Sequence, residues 1–124
     1  MDKDLEEKGR KIRAQLWDAK TLEEIDQSLR QFDEPFANLL NEQLFGAIWT
    51  RPGIPLKTRS MITMAALMSL GRWPQLKAHM LGALNLGITP AEVKEVIIHL
   101  SQYSGVPTAV EAIRIFNEVT APKR

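Results

Sequence analysis

Residues 71–87 read "GRWPQLKAHMLGALNLG", and the reading of this stretch decides the fold. Leu76, Met80, Ala83 and Leu84 recur at the three- and four-residue intervals of a helix and so form one apolar stripe. Pro74 lies near the start, where a helix needs no backbone N–H, and Gly87 lies just past the end. His79 falls among the residues of that stripe. A histidine in such a place is either a packed member of the core or the group that the core exists to hold.

The helical period continues in both directions, and no segment alternates as a strand would. Upstream, about Leu56 to Leu70 forms a long apolar helix that Gly71 ends. Before it, "WTRPGIP" (49–55) places a glycine between two prolines and predicts a loop. "DEPF" opens another helix, with Asp33 as its cap and Pro35 in its first turn. Phe36, Leu39, Leu40, Leu44, Ala47 and Ile48 are its expected buried face. Further upstream, Thr21 and Glu24 of "TLEE" are expected to form a capping box ahead of Leu22, Ile25, Leu29 and Phe32. A first segment from about Asp4 to Trp17 carries Leu5, Ile12 and Leu16 on one face.

Downstream, "TPAE" (89–92) holds the strongest local signal in the chain. Thr89 caps, Pro90 takes the first helical position, and Glu92 closes a capping box. That helix is expected to run to about Ser104, stopped by Gly105 and Pro107. A last helix, about Thr108 to Val119, turns Ala109, Ala112, Ile113 and Phe116 inward, and Pro122 ends it. The expectation is an all-α fold of six or seven helices in a single domain spanning 1–124.

Composition bounds what such a fold does. The chain has 124 residues, 44% apolar and 25% charged, with a formal net charge of +1. That near-neutral balance gives no reason to expect nucleic acid or a membrane surface as a partner. No apolar run reaches the length that spans a bilayer, and the charged start has no secretory pattern, so a cytoplasmic location is expected. Cysteine is absent, which excludes disulfides and thiol catalysis. His79 and His99 are the only imidazoles, and their spacing matches no metal motif, so no metal is expected.

The remaining polar residues allow two readings each. Glu92, Glu95, His99 and Gln102 make one stripe of the 90–104 helix, in which Glu95 and His99 are an i,i+4 pair. The stripe is either a solvated face or part of a site. Arg51, Lys57, Arg59 and Arg72 flank the 56–70 helix, as ordinary surface charge or as a grip on carboxylates. Met61, Met64 and Met68 are packing. Trp49 and Trp73 stand at loop–helix junctions, closing the core or walling a small pocket.

Taken together, "FGAIWTRPGIPLKTRSMITMAALMSLGRW" and "LKAHMLGALNLGITPAEVKEVIIHLSQYSGVPTAVEAIRIFNEV" closely resemble the carboxymuconolactone decarboxylase family, from about Phe32 to Val119. The resemblance is to its decarboxylase branch within the AhpD-like superfamily. It implies an all-helical protein that assembles as a homo-oligomer, usually a hexamer built as a trimer of dimers. It also implies cofactor-free conversion of 4-carboxymuconolactone to β-ketoadipate enol-lactone and CO₂ in aromatic degradation.

On that resemblance, His79 and Glu95 are the expected catalytic residues, and Arg51, Arg59, Arg72, Trp49 and His99 the expected substrate-binding residues. The AhpD-like thiol peroxidases carry two cysteines and a glutamate that align here with Arg72, Gln75 and Ser60, so that chemistry is disfavoured. Leu81, Leu86 and Ser104 replace the arginine, asparagine and cysteine usual among similar members. Those departures point to the alternative: an oligomeric ligand-binding paralogue that has lost the chemistry or changed its substrate.

Overall fold

A computed structural model of the protein describes residues 2–122. Among these residues the regular structure is entirely helical. The elements are α1 (Lys3–Leu16), α2 (Ala19–Phe32), α3 (Glu34–Leu40), a π-helical continuation π1 (Asn41–Ile48), α4 (Leu56–Leu70), α5 (Trp73–Asn85), α6 (Pro90–Tyr103) and α7 (Val106–Thr120). Contacts group them into two compact units, the first ending at Leu56 and the second beginning at Lys57.

In the first unit, helix starts are set by aspartates. The Asp2 carboxylate accepts from the Asp4 and Leu5 amides, and Asp33 accepts from Phe36 N at 3.0 Å. The cap of α2 is Asp18, which accepts from Thr21 N at 2.8 Å, and not Thr21 itself. The helix thus begins before the expected capping box, which places Thr21 inside its first turn.

The expected face of the next helix is also reversed. Ala37, Glu42, Phe45, Gly46 and Trp49 point inward, while Phe36, Leu39, Leu44 and Ile48 are exposed. For Leu44 and Ile48 the cause is the change of register. In π1 the bonds span five residues, as in Trp49 N to Leu44 O at 2.9 Å, so an α-helical period places the stripe on the wrong side.

Two glycines let α1 lie directly on π1. A Cβ on Gly46 would meet Leu5 O at 2.2 Å, and one on Gly9 would meet Asn41 O at 2.7 Å. Beside this contact Arg13 pairs with Asp26 and lies 5.5 Å over the Phe45 ring. Trp17 and Trp49 pack on the same ring, at centroid distances of 6.0 and 5.7 Å.

The second unit has one apolar core. Met64 and Met68 of α4, Leu76, Met80 and Ala83 of α5, Val93 and Ile97 of α6, and Ala112, Ile115 and Phe116 of α7 form it, with Ile88 between α5 and α6. The capping box at Thr89 is present in full: Glu92 N to Thr89 Oγ1 is 3.1 Å and Thr89 N to Glu92 Oε1 is 3.0 Å. Gly71, Gly87 and Gly105 all adopt positive φ (69°, 93° and 100°) and turn the chain between helices.

Helix α7 starts at Val106 with Pro107 in its first turn, so Pro107 opens a helix rather than stopping one. Its inward residues include Ile115 in place of Ile113, which is 46% exposed. Ala109, Ala112, Ile115 and Phe116 span a sector that leaves Ile113 at its edge.

Candidate functional site

His79 lies on α5 directly before Met80, whose side chain is wholly buried, and one turn after Leu76. Its ring is largely covered, and Nδ1 is shut off from solvent. Burial lowers its pKa from 6.5 to about 4, because an imidazolium loses hydration that the apolar surroundings do not replace. At neutral pH His79 is therefore a neutral imidazole, which donates one N–H and carries no charge.

This depressed value has a consequence for stability. Between pH 6.5 and 4 the unfolded chain binds a proton at His79 that the folded chain refuses. Stability is thus lost as pH falls through that window, and the residue contributes nothing above it. Urea midpoints at pH 7.5 and 5 should fall further apart for the native protein than for His79→Gln. Equal separations would show that His79 keeps an ordinary pKa when folded.

The cations occupy helix starts. Arg59 lies in the first turn of α4, partly covered, with Nε closed to solvent. Lys57, two residues earlier, reaches Gly87: its Nζ lies 3.5 Å from the place of a Cβ there. The start of α4 therefore lies beside the end of α5. Arg72 is the exposed N-cap residue of α5. Backbone N–H groups and guanidinium charge at such starts favour an anion.

Glu95 and His99 sit elsewhere in this unit. They line a shallow groove of about 470 Å³ between α4 and α6, with Met61, Ile62, Ala65, Glu92, Val96 and Leu100. His79 is not among its lining residues. The His99 ring stacks on Tyr103, with centroids 5.0 Å apart. Hydrogen bonds from the Thr89 backbone and side chain hold the Glu92 carboxyl below the usual carboxylate range, and the Lys57 charge adds to this.

Trp49 and Arg51 belong to the first unit. Trp49 is buried against Phe45, and Arg51 is exposed in the loop that follows π1.

One residue of this region lies outside the expected site residues. Ser60, one turn before Met64 on α4, is 0% exposed, and its hydroxyl has no hydrogen-bond partner in the protein. In sequence it stands only as the position aligned with the glutamate of the AhpD-like thiol peroxidases. Only burial and bonding set it apart. Among the described residues no group of three or more histidines, acids or cysteines is placed to hold a metal, and no helix is long and apolar enough to cross a membrane.

His79, neutral and largely covered, thus shares the second unit with Arg59 and Arg72, each at a helix start, in a chain without cysteine. The chain belongs to the carboxymuconolactone decarboxylase family, whose model matches residues 34–118, across the boundary between the two units. It is 35% identical to a 4-carboxymuconolactone decarboxylase from Acinetobacter baylyi over 111 residues, covering 90% of this chain and 83% of that protein. It is 31% identical to the nitrosuccinic acid decarboxylase npaB of Metarhizium robertsii, covering 86% of this chain and 75% of that protein. An uncharacterized 15.0 kDa protein of Paracoccus denitrificans shares 34% identity over 82 residues, 64% of this chain and 61% of that one.

Proposed function

We propose that the protein is a cofactor-independent decarboxylase of a small carboxylic acid, with 4-carboxymuconolactone as its first candidate substrate. The single observation that carries this reading is the neutral, buried imidazole of His79 within a family of named decarboxylases. Loss of CO₂ leaves an electron pair on carbon, which needs an acceptor group within the substrate. In the lactone acid the acceptor is the conjugated lactone carbonyl. In nitrosuccinic acid, the substrate class of the second relative, it is a nitro group. The two share a need for neutral donors at the oxygen where charge arrives.

His79 supplies such a donor without attracting the departing carboxylate. A buried cation beside that carboxylate would stabilise the ground state and slow the loss of CO₂. Arg59 and Arg72 are better suited to a second carboxylate, away from the breaking bond. The carbanion takes up one proton, drawn from solvent, to complete the reaction. In this reading Glu95 and His99 lie apart from the reacting carbon, and Trp49 and Arg51 belong to the first unit.

The chain works as one domain in a homo-oligomer, most simply the hexameric trimer of dimers, in the cytoplasm and in aromatic degradation. Exposed apolar side chains support association of copies: Phe32, Phe36, Leu44 and Ile48 in the first unit, and Ile98, Tyr103, Val106 and Val110 in the second. Light scattering that shows a monomer at micromolar concentration would overturn the assembly.

The activity is tested by adding the protein to enzymatically generated 4-carboxymuconolactone and following CO₂. Release well above the spontaneous rate is expected. No acceleration would leave the alternative paralogue reading. Within an active enzyme, Arg59→Ala should raise KM about tenfold, the equivalent of about 1.4 kcal/mol of lost anion binding. An unchanged KM, or a large fall in melting temperature, would assign Arg59 to structure instead.

A further inference from the structure

The Ser60 hydroxyl differs from three other helical hydroxyls. Thr63 donates to Arg59 O at 2.8 Å, Ser101 to Ile98 O at 2.6 Å and Thr120 to Phe116 O at 2.7 Å. Each turns back onto its own helix, the default for Ser or Thr inside a helix. Ser60 makes no such bond and has no other partner in the protein, yet it is fully buried. A buried hydroxyl left unsatisfied is costly and uncommon, and a functional role is one of the few reasons to keep it.

Its position connects it to His79. Ser60, Met64 and Met68 follow one stripe of α4, and the two methionines share a core cluster with Leu76 and Met80 of α5. Lys57 beside Gly87 shows that the two helices run in opposite directions. Ser60 thus stands one helical turn, about 6 Å along the axis, from Met64. His79 directly precedes Met80.

We propose that Ser60 is a second neutral donor of the site: its hydroxyl, buried without a protein partner on the α4 stripe that packs with the His79 helix, donates to an oxygen of the bound substrate. This deepens the decarboxylase reading and rests on it. The ligand oxygen is a carbonyl that becomes an enolate oxygen in the transition state. Two uncharged donors in apolar surroundings stabilise that developing charge and leave the departing carboxylate unheld.

The test compares Ser60→Ala with Thr63→Ala, which deletes a hydroxyl already satisfied within α4. Two measurements are made: turnover of 4-carboxymuconolactone, and calorimetric binding of paraconate, a γ-lactone carboxylate with no ring alkene to accept electrons. Ser60→Ala should keep or raise the melting temperature, because it removes an orphaned polar group. Its kcat should fall about 10- to 100-fold, with paraconate bound about fivefold more weakly. Thr63→Ala should match the native protein in both.

Native kcat and native paraconate binding in Ser60→Ala would overturn the proposal. So would a lowered melting temperature with full activity per folded molecule, which would make the hydroxyl structural. If the native protein binds paraconate but releases no CO₂, the decarboxylase reading fails alone, and the binding of Ser60→Ala still decides the donor. A native protein that does neither overturns both.

Discussion

Replacing His79 with alanine should lower kcat by about 10²- to 10³-fold while the protein stays folded. That is the usual cost of removing one preorganised donor to a developing oxyanion. The argument rests on charge. With its pKa lowered to about 4, only about one His79 in a thousand is protonated at pH 7. The imidazolium is too rare to serve as the working acid, whereas the neutral N–H is always present.

Two further results separate these roles. His79→Gln should recover part of the lost kcat, because an amide N–H can also donate. The kcat of the native enzyme should stay level from pH 6 to 8. A rate that falls steadily as pH rises through that range would restore proton transfer from an imidazolium. Full activity in a stable His79→Ala protein would return the residue to simple packing.

The second large effect is on stability and falls in the first unit. Gly46→Ala should destabilise the protein by about 3 kcal/mol or more, a fall in melting temperature on the order of 10 °C. The added methyl would lie 2.2 Å from the Leu5 carbonyl oxygen, and that neighbour is backbone, which cannot swing aside as a side chain does. Either α1 lifts from π1 or the π register changes. Both disturb the packing of Arg13, Trp17 and Trp49 around Phe45. Thermal unfolding by circular dichroism measures the loss. A melting temperature within a degree or two of native would mean that α1 and π1 do not meet as closely as described.

These two residues mark how far the chain is legible without coordinates. The helices of the second unit are written locally. Thr89, Pro90 and Glu92 fix one start, and Gly71, Gly87 and Gly105 make the turns, because caps and positive-φ positions depend on neighbours within one turn. The stripe through Leu76, Met80 and Ala83 is buried as its spacing implies. The family too is legible, since motif order and spacing are linear properties of the chain.

What sequence could not supply depends on register and surroundings. An eight-residue π segment turns Phe45 inward and leaves Leu44 and Ile48 outside, and no local pattern announces it. Asp18 caps α2 in place of Thr21 because its carboxylate, three residues earlier, already accepts from the Thr21 amide. Glu95 and His99 are an i,i+4 pair in the sequence, and the folded unit places both on a groove between α4 and α6 whose lining does not include His79. His79 was visible as a residue type, but its neutrality was not, because a pKa is set by the dielectric that other helices create. Ser60 stands in the sequence only as the position aligned with the peroxidase glutamate. Its meaning comes from a hydroxyl that the folded chain buries and leaves unsatisfied, which only the assembled unit decides.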